Sequence, residues 1–161
     1  MEFEEFLTVN LDRLTRYAGV LTGDRPLAED VLAQTLITVW QKWNRIRSMD
    51  FPLAYVRSAV TRTYLDHCRR EGRRRTFATS SPTTLDVSLS AVTGQVDDRS
   101  ELDELLSALP ARQRAVLVMR FYLDLPDKSI AAALGCSVPT VRSSAFRGLA
   151  AVRARADSMK D

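Results

Sequence analysis

Short polar and guanidinium side chains recur on one face of a predicted helix near the end of this sequence. Thr140, Arg142, Ser143 and Arg147 share that face. Groups of these types hydrogen-bond the base edges and phosphate oxygens of duplex DNA in the major groove. The pattern therefore indicates nucleic-acid recognition rather than bond-making chemistry.

The residues before this face predict the elements that position it. A short apolar helix ends at Gly135, which can adopt the left-handed conformation that a tight turn needs. Ser137 can then cap a second helix, and Pro139 fits the first turn of that helix. These residues predict a helix-turn-helix. Helical hairpins that bind no DNA can show the same pattern. The candidate DNA contacts of this motif are Ser137, Pro139, Thr140, Arg142, Ser143 and Arg147.

Charge is distributed in blocks along the chain. The stretch from Arg57 to Arg75 contains seven basic residues against two acidic ones, a balance of +5. Residues 76–111 contain six acidic residues against one arginine (−5), and residues 127–161 contain six basic residues against three acidic ones (+3). Basic blocks attract polyanions such as nucleic acid, although such a run can also be only a solvated face. The acidic block is either a passive tether or a segment that pairs with the basic blocks in the free protein.

Other kinds of chemistry find little support in the sequence. His67 and Cys68 are neighbours on a predicted helix, so their side chains point about 100° apart and do not form a nucleophile–base pair. Cys68 and Cys136 match no zinc or CxxC spacing. Phosphate-binding loops, dinucleotide fingerprints and nucleophile elbows do not occur in the sequence. We therefore expect no enzymatic activity, no metal and no cofactor.

Composition is typical of a cytoplasmic globular protein. With 161 residues, of which 45% are hydrophobic and 27% charged, the chain can bury one ordinary core or two small helical ones. No apolar run approaches the roughly 18 residues that span a bilayer, and the first residues are acidic where a secretory signal is basic. We expect a cytoplasmic protein without a membrane segment.

Helical periodicity occurs in both halves of the sequence and is lost between them. Apolar spacings of three and four predict a helix over 3–21, a second of about twenty residues from Arg25, and a third after Pro52. Residues 76–98 are rich in small polar residues, and helical spacing returns from Leu102. We predict an all-α fold of two small helical domains, 1–75 and 99–161, joined by a flexible acidic linker over 76–98.

The C-terminal pattern resembles a specific family. The stretch from Leu109 to Tyr122, followed by the helix-turn-helix, is similar to region 4 of sigma-70 family factors, which reads the −35 promoter element. The resemblance implies that this domain binds −35 DNA through the motif residues given above. It also implies a contact with the flap of the RNA polymerase β subunit.

The N-terminal half resembles the same family independently. The stretch from Ala28 to Trp40 is similar to region 2.2, which docks on the clamp helices of the β′ subunit. Residues from Pro52 to Arg70 are similar to regions 2.3 and 2.4, which melt and read the −10 element. The resemblance implies polymerase contacts at Glu29, Asp30, Leu32 and Leu36, and −10 contacts at Trp43, Arg57, Arg62, Asp66, Arg69 and Arg70.

Several positions depart from the family pattern. Ala33 and Gln34 stand where the family often has glutamine and glutamate, so the clamp contacts can be arranged differently. Arg62 stands where the family often has asparagine, and Ser144 stands where it often has arginine. Pro126 and Ser129 replace the usual serine and glutamate at the start of the first motif helix, which predicts weak capping there.

The resemblance implies a function for the whole chain. Order and spacing of the segments, with a short linker instead of a separate region 3 domain, resemble the extracytoplasmic-function group. The expected protein is a sigma factor that binds core RNA polymerase and promoter DNA and directs promoter-specific initiation. An anti-sigma protein is a further candidate partner. The alternative is a helix-turn-helix regulator that binds duplex DNA without core polymerase.

Overall fold

The computed structural model describes residues 1–78 and 100–161, and every regular element within them is helical. This confirms the predicted all-α fold. The acidic residues Asp86, Asp97 and Asp98 of the predicted linker lie outside the described residues. In chain order the helices are α1 (Phe3–Thr22), α2 (Arg25–Gln41), α3 (Trp43–Ile46), α4 (Pro52–Ala78), α5 (Ser100–Ser107), α6 (Ala111–Leu117), a π-helical turn (Val118–Tyr122), α7 (Asp127–Leu134) and α8 (Val138–Lys160).

Local signals set the ends of the helices in the N-terminal lobe, which consists of α1 to α4. The carboxylate of Glu5 accepts from the backbone N–H of Glu2 at the start of α1. Gly23, with φ of 66°, ends α1 in the left-handed conformation. The Asp24 carboxylate then accepts from the Leu27 amide at 3.2 Å and caps α2. The predicted end of the first helix is confirmed, whereas α2 stops at Gln41 after 17 residues.

The apolar faces of α1, α2 and α4 form the core of this lobe. Leu14, Val31, Val56 and Val60 are completely or almost completely buried there. Tyr17 is equally buried and shares a hydrogen bond with the Thr61 hydroxyl. Burial raises the pKa of Tyr17 to about 12, because the phenolate would lose its hydration in this core.

The C-terminal lobe consists of α5 to α8 and the π-helical turn. Val116, Met119, Ile130 and Val141 form its interior. Helices α6 and α8 cross closely at Gly148, where an added Cβ would lie 3.0 Å from the Leu117 side chain. A residue larger than glycine would therefore push these two helices apart.

The two lobes contact each other, so their buried residues form one continuous cluster. Helix α4 packs against both α6 and α7. The rings of Tyr17 and Tyr122 stack across the junction with their centroids 6.3 Å apart. Arg114 of α6 is buried and donates to backbone carbonyls at the end of α1. The domain boundaries drawn from the sequence stay predictions, since α4 continues past residue 75.

Candidate nucleic-acid interface

The turn before α8 is built as the sequence predicts. Gly135 has φ of 66° and ends α7, and its N–H together with that of Cys136 reaches the Ala131 carbonyl. The Ser137 hydroxyl accepts from the Thr140 amide at 3.2 Å and caps α8. Both features of the predicted helix-turn-helix are thereby confirmed as local structure. The start of α7 has only Pro126 and no side-chain cap, as its sequence predicts.

The outer face of α8 presents two arginines and an aromatic ring. Arg142 and Arg147 are exposed, and Phe146 is exposed over 76% of its surface. Thr140 and Ser143 are half-buried, and the Ser143 hydroxyl donates to the Pro139 carbonyl of its own helix. Sequence analysis missed Phe146, although it lies four residues after Arg142 and hence on the same face. The guanidinium groups and the ring together can contact phosphates, base edges and the thymine methyl group.

Asp127 connects the two helices of the motif. One of its carboxylate oxygens lies 3.1 Å from Arg120 and 3.6 Å from Arg142, and the other is buried without a hydrogen-bond partner. The carboxylate therefore restrains the Arg142 side chain at the edge of the exposed face. Nothing in the sequence pattern alone indicated this ion pair, because it depends on how α7 and α8 cross.

Helix α4 presents a second row of charged residues. Arg62, Asp66, Arg69 and Arg70 are exposed on it at spacings of three and four, which places them on one side of the helix. The Arg62 guanidinium lies 5.8 Å from the centre of the Tyr55 ring. Asp66 and Arg69 form an exposed ion pair at 3.7 Å. Such a row can follow a nucleic-acid backbone while the neighbouring ring offers a stacking surface.

Arg57, a predicted −10 contact, lies apart from that row. It is half-buried, and its Nε is buried without a hydrogen-bond partner. Its charge acts on Tyr17, whose pKa it lowers against the larger effect of burial. Arg57 therefore faces the interior of the lobe more than the α4 surface.

The structure corrects the prediction that Trp43 contacts DNA. Trp43 is only 6% exposed, its ring packs against Phe3 and Phe6, and its indole N–H donates to the Met1 carbonyl. Trp40 is instead 60% exposed. The chain turns between α2 and α3, so the two tryptophans do not follow the single helical repeat that the sequence suggests.

Helix α2 carries the predicted polymerase contacts on two different sides. Glu29 and Asp30 are exposed, whereas Leu36 is half-buried. Leu32 is buried in the core, which corrects its assignment as a surface contact. The exposed apolar residue on this helix is Ile37, at 59%. Sequence analysis missed it because apolar residues were assigned to the inner face.

The neighbourhood of Cys68 does not resemble a catalytic site. Burial raises the pKa of its thiol, which opposes formation of the nucleophilic thiolate. Burial likewise raises the pKa of the adjacent Tyr64 above its usual range. Residues 1–78 and 100–161 contain no group of three or more potential metal ligands. No helix within the same ranges is long and apolar enough to cross a membrane.

Comparison with known proteins gives matches over both lobes. The family model for Sigma-70 region 2 matches residues 6–74, and the model for Sigma-70 region 4 matches residues 99–152. An RNA polymerase sigma-E factor from Streptomyces avermitilis is 32% identical over 158 residues, which are 98% of this chain and 87% of that protein. The ECF RNA polymerase sigma factor SigL of Mycobacterium tuberculosis is 32% identical over 142 residues, which are 87% of this chain and 80% of the SigL chain.

A solved structure shares the fold. It is that of the sigma factor RpoE from Bartonella quintana in complex with the anti-sigma factor NepR. The match has a TM-score of 0.69 with 21% sequence identity and covers 94% of both chains. The likeness therefore extends over both lobes rather than over the helix-turn-helix alone.

Proposed function

This chain belongs to the sigma-70 family of RNA polymerase sigma factors, within the extracytoplasmic-function group, and from that premise we propose a division of roles between its lobes. The C-terminal lobe reads −35 duplex DNA, and the N-terminal lobe holds core polymerase and captures the −10 element. We propose 1–75 and 99–161 as the two functional units, with 76–98 as their linker.

The observation that carries the proposal is the outer face of α8. A capped helix whose inner face is buried presents Arg142, Phe146 and Arg147 to solvent. A helix-turn-helix binds DNA by placing such a face in the major groove. Phosphates would be contacted by the arginines at the rim, and base edges by those that point into the groove.

Helix α4 supports the proposed −10 role. Unpaired bases bind surfaces that combine positive charge with exposed rings, because stacking offsets the cost of unpairing. The row of Arg62, Arg69 and Arg70 supplies the charge. A half-buried ring is available at Tyr55, beside Arg62, and an exposed ring at Phe51, which is 76% exposed just before α4.

Helix α2 supports the proposed contact with the β′ clamp helices. Its solvent side combines the carboxylates of Glu29 and Asp30 with the apolar surface of Ile37 and Trp40. Exposed apolar residues beside charged ones are typical of protein interfaces. Leu36 borders this side. We propose the flap of the β subunit as the partner of the C-terminal lobe.

From its membership of this family we also propose that the protein is a cytoplasmic regulator and catalyses no reaction itself. Core polymerase supplies the active site, and the sigma factor supplies promoter choice. We also propose an anti-sigma protein as a partner that controls this chain.

Run-off transcription with purified core polymerase and a promoter library tests the proposal. Addition of the protein should produce transcripts from a defined subset of promoters. The double variant Arg142→Ala/Arg147→Ala should lose most of that signal, whereas Arg155→Ala, an exposed arginine further along α8, should retain it. Equal transcription with and without the protein would contradict the proposal. Tight, specific binding to duplex DNA without core would instead favour the helix-turn-helix regulator.

A further inference from the structure

The two arginines on the outer face of α8 differ in how firmly they are held. The Nε atom of Arg142 lies 3.6 Å from the Asp127 carboxylate, whereas Arg147 takes part in no ion pair among the described residues. Both side chains remain exposed. A long side chain that is oriented before binding loses less conformational entropy when it binds. Arg142 is therefore better prepared than Arg147 for a contact that depends on direction.

The Asp127 carboxylate is itself fixed by the rest of the lobe. Its Oδ2 atom accepts from Nη2 of Arg120, on the π-helical turn, at 3.1 Å. Asp127 is also the first residue of α7, so its backbone is part of a helix. The side chains of Asp127 and Arg120 are 17% and 33% exposed, against 69% for Arg142. The π-helical turn, α7 and α8 thus meet at one carboxylate, and Arg142 is the member of this set that is mainly exposed.

The atom of Arg142 that forms the ion pair determines which donors are left for another partner. The pair involves Nε, and within residues 1–78 and 100–161 the two Nη atoms have no ion-pair or hydrogen-bond partner. These two atoms carry the remaining N–H donors of the planar guanidinium. A planar pair of donors matches the O6 and N7 acceptors of guanine in the major groove. Adenine has an amino donor in place of O6, so it does not fit the same pair.

The second oxygen of the carboxylate indicates that Asp127 is more than a structural residue. Oδ1 is buried, and it has no hydrogen-bond partner in the part of the chain that the structure describes. A buried acceptor without a partner costs free energy, which a residue selected for stability alone would avoid. Native proteins tolerate such costs mainly at functional sites. The position of the charge beside Arg142 supplies the functional reason.

We propose that Asp127 is a positioning residue for base recognition, which holds the two Nη atoms of Arg142 toward a guanine of the −35 duplex. The inference rests on the proposed function, because it requires the outer face of α8 to enter the major groove. Arg147, which has no such partner among the described residues, contacts phosphate instead. Asp127 acts through Arg142 rather than on DNA, so it contributes to discrimination between bases and not to total affinity.

The variant Asp127→Asn tests this role, because the amide has nearly the same shape as the carboxylate and lacks its charge. Competition anisotropy with the holoenzyme would use −35 duplexes in which each G·C pair is changed to A·T in turn. The parent should prefer guanine at one position by about fivefold or more, the lower end for a bidentate arginine contact. Asp127→Asn should lose most of that preference. Its affinity for a scrambled duplex should be unchanged or higher, because a negative charge near DNA has been removed.

The matched control is Asp124→Asn. Asp124 lies three residues before Asp127, is exposed and takes part in no ion pair within the described ranges. Its φ of 54° is a conformation that asparagine also adopts. The exchange removes the same charge from the same lobe, and it should leave the guanine preference unchanged.

A double-mutant cycle separates positioning from a structural role. Once Arg142→Ala has removed the guanidinium, Asp127→Asn should cause no further loss of guanine preference. Arg147→Ala should lower the salt dependence by about 0.9, the value for one phosphate contact on duplex DNA, and keep the preference. Circular dichroism would report helix content for each variant. If Asp127→Asn folds poorly, Arg120→Gln, which removes the partner that fixes the carboxylate, should reduce the same preference.

The outcomes distinguish this inference from the proposed function. A preserved guanine preference in folded Asp127→Asn, additive losses in the cycle, or an equal loss of affinity for specific and scrambled duplexes would each overturn the inference. A parent holoenzyme that discriminates bases in the −35 duplex but prefers no guanine would also overturn it. A parent holoenzyme without any base preference there would instead contradict the proposed function.

Discussion

Helices α8 and α4 carry the two sets of candidate DNA contacts, and the structure places them very differently. The outer face of α8 is open to solvent, and its inner face packs within its own lobe. Helix α4 packs against α1 and α2 on one side and against α6 and α7 on the other. The exposed face of α8 thus depends on one lobe only, whereas the exposed row of α4 lies on a helix that packs against both lobes.

This difference separates two steps of promoter recognition. Duplex DNA needs only a rigid helix presented to the major groove, which the cap at Ser137 and the core of the lobe provide. Capture of unpaired bases needs energy from elsewhere to open the duplex.

The largest expected effect concerns the exposed face of α8. Arg142→Ala and Arg147→Ala should each weaken binding to −35 DNA by about 1–3 kcal/mol if the arginine contacts a base, which is about 5- to 150-fold. An arginine that contacts only phosphate should instead lower the salt dependence by about one counterion. Fluorescence anisotropy of the holoenzyme on labelled duplex at several salt concentrations measures both quantities.

A third arginine on the same helix provides a control for that prediction. Arg155→Ala removes the same charge from an exposed position on the same helix, outside the helix-turn-helix. It should change neither affinity nor salt dependence beyond the general loss of one positive charge. If Arg142→Ala and Arg147→Ala behave like Arg155→Ala, α8 has been placed wrongly on the DNA.

A smaller effect tests whether the two lobes unfold as one unit. Ser137→Ala and Asp24→Ala each remove a helix cap, one in each lobe, and each should cost about 1 kcal/mol. Because the buried residues form one cluster, both variants should shift a single thermal transition by about 3 °C. Circular dichroism melts measure this. Two transitions, of which each variant moves only one, would show that the lobes are stable independently.

Local sequence rules predicted the fold well and the site only in part. The cap at Ser137 and the left-handed turn at Gly135 follow from residues within one turn of each other, and both were correct. Leu32 and Trp43 were predicted as contacts with polymerase and DNA, but both are buried. The family resemblance names such positions without showing which side chains reach the surface. Arg114 gave no signal, since its carbonyl partners lie 93 and 94 residues away in the sequence.

The smallest expected effect concerns α4, and it should depend on core polymerase. Arg70 is exposed, and among the described residues it takes part in no ion pair, unlike Arg69 and Arg74 nearby. In the holoenzyme, Arg70→Ala should lower the salt dependence of promoter binding by about 0.7–0.9, the value for one phosphate contact on single-stranded or duplex DNA. Without core, the same substitution should leave −35 binding unchanged, because α8 alone contacts that duplex. Arg13→Ala on α1 is the matched control and should alter neither measurement. Titrations over a salt series with and without core give both slopes, and an equal change in the two would mean that α4 contacts DNA even without core polymerase.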